Sequence, residues 1–139
     1  MGTYIKYLIF FALLCSCVNL KGQDVNFSVV LNGNIVNYTV QNNTSKDMYI
    51  IQHREPTMEN GSHCLITYKD KDGNVNYEML PVINKLAVLI KPKECYNYDI
   101  DISSYKKQGI IRVYCKLAVI VKEENDKPYI KKYDKYITF

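Results

Sequence analysis

The chain is poor in the residue types that metal binding and phosphate binding usually need. Its 139 residues include no tryptophan, two histidines, six glycines and four prolines. The few glycines form no glycine-rich loop of the kind that cradles phosphates. His53 and His63 border one loop with Glu55, Glu59 and Cys64, but none of the close ligand spacings of zinc sites occurs. We therefore expect no catalytic residue, no metal and no cofactor, and a protein that is not an enzyme.

The charge of the chain gives no indication of a nucleic-acid partner. The formal net charge is +4 at pH 7, and the basic residues are spread along the sequence. A nucleic-acid-binding domain concentrates such charge into a patch or stripe. We therefore expect no nucleic acid among the partners.

The only long apolar run lies at the N-terminus and is typical of a secretory signal. Lys6 precedes the apolar segment Tyr7–Leu14, which small residues and then a polar stretch follow. A charged start, a 7–15-residue apolar core and a small-residue exit are the parts of a signal peptide. A membrane span needs about 20 apolar residues, which this run does not reach. We predict that residues 1–22 are a signal peptide and that the protein is exported.

The exit of this signal has two interpretations. Leu14-Cys15-Ser16-Cys17 resembles the lipobox of bacterial lipoproteins, which implies a lipid on Cys17 and attachment to the membrane. The alternative is ordinary cleavage after Cys17 or near Gly22-Gln23, because the small residues of a cleavage region can imitate a lipobox. The protein is accordingly expected either in the cell envelope, held by its lipid, or in the secreted or periplasmic fraction.

The remaining residues, 23–139, have the length of a single domain and a β pattern throughout. Short apolar runs, several of them alternating, recur about every 8–12 residues, and Asn32-Gly33 and Asp72-Gly73 are hairpin signals. We predict an all-β, antiparallel β-sandwich of about eight or nine strands. The predicted strands are Val25–Val29, Ile35–Val40, Met48–Gln52, Cys64–Lys69, Val75–Leu80, Leu86–Ile90, Cys95–Ile102, Ile110–Val121 and Tyr129–Phe139.

The longest strand predicts both a core face and a surface face. Its odd positions are wholly apolar, and period-two alternation places them inside. The inward residues are predicted to be Ile111, Val113, Cys115, Leu117, Val119 and Val121. Tyr114 then points outward between Arg112 and Lys116. Tyrosine has an apolar ring and a polar tip, which suits contact with protein or carbohydrate. We predict a binding surface with Arg112, Tyr114 and Lys116, together with His53 and His63, although tyrosine also fits half-buried sheet faces.

Several turns resemble those of small bacterial immunoglobulin-like domains. Lys91-Pro92-Lys93-Glu94 occupies the place of their Pro-Gly-Glu turn, with Lys93 where glycine is expected. Gly109–Val113 resembles their Gly-x-Tyr-x-Val motif, with Ile111 where tyrosine is usual. Asn37–Thr44 resembles their second strand and its turn. The resemblance covers about half of the predicted domain and implies an immunoglobulin-like sandwich. It implies no reactive group, and fold alone does not specify function.

Three cysteines lie in this domain, and an exported protein can hold a disulfide. Cys95 is expected at the exposed start of a strand, where a free thiol is open to oxidation. This position favours pairing with Cys64, which also begins a strand. Cys115 lies on the predicted core face and is expected to behave as a small hydrophobic residue. Three unpaired cysteines remain the alternative, because sequence does not establish connectivity.

Two functions fit these expectations. The first is an exported, envelope-associated, non-enzymatic binding or structural module whose partner is an unknown protein or glycan. The second is a protease inhibitor or immunity-type protein that presents the loop 53–64. Resistance of that loop to proteolysis, together with inhibition of a protease, favours the second.

Overall fold

The computed structural model describes residues 24–52, 61–121 and 128–139. The predicted signal 1–22 and the lipobox at 14–17 lie outside the described residues. The described part contains nine strands and one short helix, α1, at Ser103–Lys106. The strands are β1 Val25–Asn32, β2 Ile35–Asn42, β3 Met48–Ile51, β4 His63–Lys69, β5 Val75–Pro81, β6 Ala87–Ile90, β7 Cys95–Asp101, β8 Ile110–Val121 and β9 Tyr129–Thr138.

The strands form two antiparallel sheets with a shared core, a β-sandwich-like arrangement. The smaller sheet has the order β1-β2-β7, and the larger has the order β5-β4-β8-β3-β6 with β9 added against β8. The long strand β8 organises the larger sheet. Its first half pairs with β4 and its last residues pair with β3, while β9 pairs along Arg112–Val121. The predicted all-β, antiparallel fold class is confirmed.

The first hairpin forms where the sequence predicts it, but its centre is displaced by one residue. Asn32 pairs with Ile35, so Gly33 and Asn34 form the two-residue loop. Gly33 has a φ of +61°, the left-handed region in which glycine is favoured. Asn34 does not have a positive φ. A two-residue loop in which only the first central residue has a positive φ is a type II′ turn, which favours glycine at that position.

The core lies between the sheets and follows the predicted alternation of β8. Its residues Val113, Cys115, Leu117, Val119 and Val121 are all at most 2% exposed. Tyr38 of β2 enters the core from the smaller sheet, where its ring meets Phe27 with centroids 4.9 Å apart. The Tyr38 hydroxyl donates a hydrogen bond to the Lys116 carbonyl at 2.9 Å and so joins the two sheets.

Two positions of β8 depart from the prediction. Ile111 is not a core residue, because the β4–β8 register shifts there: Thr67 pairs with Arg112, but Tyr68 pairs with Ile110. This β-bulge turns Ile110, rather than Ile111, against the core. Ala118 is fully buried although alternation turns it outward.

The chain crosses from the larger to the smaller sheet through the turn between β6 and β7. The Glu94 amide donates to the Lys91 carbonyl at 3.0 Å, which closes the turn. Lys93 has a φ of +69°. Among the described residues, the others with a positive φ are all glycines. Pro92 followed by a positive φ is the pattern of a type II turn, which favours glycine at the second position. Lys93 therefore occupies a position where a side chain is strained and glycine is favoured.

Candidate functional site

The outward residues of β8 lie where the sequence predicts them. Arg112 is exposed, and Tyr114 and Lys116 are partly exposed. These three residues alternate with the buried Val113 and Cys115, as the pleat of a strand requires. They therefore form a row along the outer surface of the larger sheet.

Tyr136 of β9 completes this row, and sequence reasoning did not single it out. Tyr136 lies directly opposite Tyr114 in the β8–β9 register, and the two ring centroids are 5.0 Å apart with an interplanar angle of 41°. The Arg112 guanidinium carbon lies 5.5 Å from the centroid of the Tyr136 ring, within the range of a cation–π contact. Tyr136 nevertheless remains 57% exposed. We call Arg112, Tyr114, Lys116 and Tyr136 the aromatic–basic cluster.

Burial and neighbouring charge affect the Tyr114 hydroxyl. Desolvation raises the pKa of Tyr114 above its ordinary value, and the Asp134 carboxylate adds to this effect. Asp134 lies opposite Lys116 in the register, so the cluster has one acidic neighbour beside its two basic residues. The cluster therefore presents two tyrosine rings, each with its hydroxyl, beside two basic side chains and one carboxylate.

His63, which the sequence predicts as part of the binding surface, is buried in the structure. It is the first residue of β4 and only 5% exposed, because β4 is flanked by β5 and β8 and His63 lies between Pro81 and Lys116. Its Nδ1 lies 3.0 Å from the Gly61 carbonyl oxygen, and its ring meets Tyr114 edge-on with centroids 6.3 Å apart. The buried His63 ring therefore packs beside the Tyr114 ring. His53, the other predicted histidine, lies outside the described residues.

Apolar side chains extend the same outer surface on both sides of the cluster. Leu65 and then Met79 follow Tyr114 across β4 and β5, and both are partly buried. Ile130, 51% exposed, faces Ile120 further along β8 and β9. The cluster thus has apolar neighbours across β4 and β5, while the charged pair Lys116 and Asp134 separates its rings from Ile120 and Ile130.

The loop 53–64 is described only at its ends. Gln52 and Ser62 form an isolated bridge, and the Ser62 amide donates to the Ile51 carbonyl at 2.8 Å. The Ser62 hydroxyl lies 3.1 Å from the Ala118 carbonyl oxygen and 2.9 Å from the Ala118 amide. Gln52 and Ser62 therefore hold the two ends of the loop together, and Ser62 fixes them beside Ala118 of β8. Residues 53–60 lie outside the described residues.

The cysteines lie in different surroundings. Cys95 is exposed at the start of β7 in the smaller sheet, as predicted, whereas Cys64 is buried in the larger sheet. The residue opposite Cys64 is Cys115 of β8, not Cys95. The predicted disulfide between Cys64 and Cys95 is not shown by the structure.

The described part of the chain contains no group of three or more histidine, cysteine, aspartate or glutamate side chains arranged for a metal ion. A cavity of about 270 Å³ lies between β1 and β9. Its lining is Val25, Phe27, Lys132, Tyr133, Asp134 and Lys135. This lining holds one carboxylate and two lysines. Among the described residues, no helix is both long and apolar enough to cross a bilayer.

No protein-family model and no curated protein sequence matches this chain. Among solved structures, the chain is similar to the putative ApaA protein from Bordetella pertussis. The sequence identity is 15%, the TM-score is 0.39, and the similarity covers 82% of this chain and 89% of that protein. At this TM-score the similarity supports no statement about function.

Proposed function

We propose that this protein is an exported, envelope-associated binding module without enzymatic activity, and that it holds a protein or a glycan through its aromatic–basic cluster. The observation that carries the proposal is the contact of Tyr136 with Tyr114 and Arg112 on an open sheet surface. We include in the proposal an immunoglobulin-like sandwich and membrane attachment through a lipid on Cys17, which the N-terminal sequence and the turn motifs suggest.

The composition of the cluster supports a binding role. Tyrosine and arginine are enriched among the residues that contribute most energy at protein interfaces. Tyrosine buries a large area at a low cost in side-chain entropy, and arginine adds directed, charged hydrogen bonds. Tyr136 and Tyr114 hold each other in place by ring contact, so little ordering is required when a partner binds. Arg112 is already placed over the Tyr136 ring and can form a paired hydrogen bond with a carboxylate of the partner.

The test compares binding by the full protein and by surface variants. The probes are envelope proteins and envelope oligosaccharides of the producing cell, supplied separately to the immobilised protein. We expect Tyr136→Ala and Arg112→Ala each to weaken binding by about tenfold to a hundredfold, since hot-spot residues contribute about 1.4–3 kcal/mol.

Two matched controls distinguish the cluster from general surface effects. Val30→Ala removes an exposed apolar side chain from the smaller sheet, and Lys107→Ala removes an exposed charge after α1. Both are expected to bind as the unaltered protein does. Equal binding by the Tyr136 and Arg112 variants and these controls would overturn the proposed site.

The inhibitor function remains a second proposal because of one feature of the loop 53–64. Its ends are held together by the bridge between Gln52 and Ser62 and by the hydrogen bonds of Ser62 to Ala118. A loop held at both ends loses little entropy when it enters the active site of a protease. Replacement of residues 53–60 by a glycine–serine segment of equal length should abolish inhibition of a susceptible serine protease. The same replacement should leave binding through Tyr136 unchanged, so the two proposals are tested separately.

A further inference from the structure

We propose that Cys64 and Cys115 form a disulfide that joins β4 to β8 when the protein folds under oxidising conditions. The two residues are directly opposite each other in the antiparallel β4–β8 ladder. Both side chains are fully buried and point into the core between the sheets. The inference does not depend on the binding function proposed above, because it concerns the inside of the same sheet.

The geometry of an antiparallel ladder suits this bond. Residues directly opposite each other have Cα atoms about 4.5–5.5 Å apart. A disulfide needs Cα atoms about 4.4–6.8 Å apart and Cβ atoms about 3.5–4.5 Å apart. Cross-strand Cβ atoms lie about 4.5–5.5 Å apart, so the two strands need to approach by about 1 Å or less.

The two thiols already interact in the reduced protein. Cys64 and Cys115 are paired in the β4–β8 register, and both are fully buried on the core side of the sheet. Cys95 cannot compete for Cys64 within this ladder, because it lies in the smaller sheet opposite Gln41. The register of β4 and β8 therefore selects Cys115 as the partner of Cys64.

The burial of the pair determines when the bond forms. Desolvation by burial, and then the interaction with Cys115, raises the pKa of the Cys64 thiol far above its ordinary value. A thiol must be deprotonated to attack a disulfide. Oxidation is therefore expected while β4 and β8 pair during folding and before the smaller sheet covers them.

The oxidant is a small-molecule or protein disulfide, such as oxidised glutathione. The thiolate of one cysteine attacks the oxidant, forms a mixed disulfide and releases one thiolate from the oxidant. The thiolate of the second cysteine then attacks the mixed disulfide and releases the other thiolate. Cys64 and Cys115 together lose two electrons and two protons, and the disulfide of the oxidant becomes two thiols.

The test is refolding of the full chain from urea with a mixture of oxidised and reduced glutathione. Remaining thiols are then blocked under denaturing conditions, and the proteolytic peptides are identified by mass spectrometry before and after reduction. We expect the main product to contain a peptide of Cys64 linked to a peptide of Cys115. Thiols at both positions as the main product, or a link from Cys64 to Cys95, would overturn the proposal.

Two variants keep the test independent of folding defects. Cys95→Ala replaces the exposed cysteine and should form the same linked peptide. In this variant, reduction should lower the melting temperature by roughly 10 °C, because the bond restricts the unfolded chain. The double variant Cys64→Ala, Cys115→Ala should melt at the same temperature with and without a reductant. An equal response of the two variants to the reductant would also contradict the proposal.

Discussion

The outward faces of the two sheets carry different side chains, although both are open to solvent. On the smaller sheet, polar side chains bond to one another across the strands. The amide of Asn32 donates to Asn37 at 2.5 Å, and the amide of Asn37 donates to Asp99 at 2.6 Å. On the larger sheet, the outer surface holds the rings of Tyr114 and Tyr136 and the side chain of Ile130 beside the charged Arg112 and Lys116.

This difference indicates which face is available to a partner. A polar face whose groups already satisfy each other gains little when a partner replaces water, since each hydrogen bond is exchanged for another. An exposed tyrosine ring releases water from apolar surface when it is covered. If the proposed binding role holds, the larger sheet is therefore the face on which a partner gains most.

The largest expected effect is the difference in stability lost when a tyrosine is removed from the core and when one is removed from the outer surface of the larger sheet. Tyr38→Ala removes a buried ring and its hydrogen bond to the Lys116 carbonyl, and should lower the free energy of unfolding by about 3–5 kcal/mol. Tyr136→Ala removes a largely exposed ring and should change it by about 0.5 kcal/mol or less. Urea denaturation of both variants gives the comparison, and similar losses would contradict it. Tyr38→Phe provides a milder variant if Tyr38→Ala does not fold.

The next effect tests the stabilising role of the polar face. Asn37→Ala removes the hydrogen bonds from Asn32 and to Asp99 and should destabilise the protein by about 1 kcal/mol. Ile130→Ala, on the outer face of the larger sheet, is the matched control and should cost less. A thermodynamic cycle with Asp99→Ala isolates the contact between Asn37 and Asp99. Absence of coupling in that cycle would show that the contact between Asn37 and Asp99 contributes nothing to stability.

A smaller and opposite effect is expected at the turn that connects the two sheets. Lys93→Gly removes the strain of a positive φ and should raise the free energy of unfolding by about 0.5–1 kcal/mol, after the entropy cost of glycine is subtracted. Lys91 does not have a positive φ, so Lys91→Gly relieves no strain and should instead lower the free energy of unfolding. Chemical denaturation measures both, and a loss of stability in the Lys93 variant would count against the strained turn.

The smallest effect concerns the pH dependence of the cluster. The pKa of Tyr114 is raised, so the folded protein keeps this proton to higher pH than the unfolded chain does. The stability that Tyr114 contributes is therefore complete below pH 10.0, the ordinary value, and is lost as the pH rises above it. Tyr136→Ala exposes the ring of Tyr114 and should move its pKa back toward the ordinary value. A ¹³C NMR titration of the Tyr114 ring carbon that bears the hydroxyl measures this shift, and an unchanged pKa would contradict the shielding by Tyr136.

Local patterns explain why the strands were predictable. Alternation along β8 separates Val113, Cys115 and Leu117 from Arg112 and Tyr114, because side chains of a strand point to opposite faces in turn. The bulge at Ile111 was not predictable, since it depends on how β4 is aligned with β8. The burial of His63 has the same origin, because it follows from the strands on either side of β4 and not from the residues next to it in the chain.

The sequence by itself determined the all-β class, most strand positions, the inward face of β8 and the outward direction of Arg112, Tyr114 and Lys116. These properties depend on residues close together in the chain. Only the tertiary structure decided that Tyr136 lies against Tyr114 and that Cys115, rather than Cys95, faces Cys64. Such pairs join residues far apart in sequence, and their register depends on the packing of the whole sheet against its core.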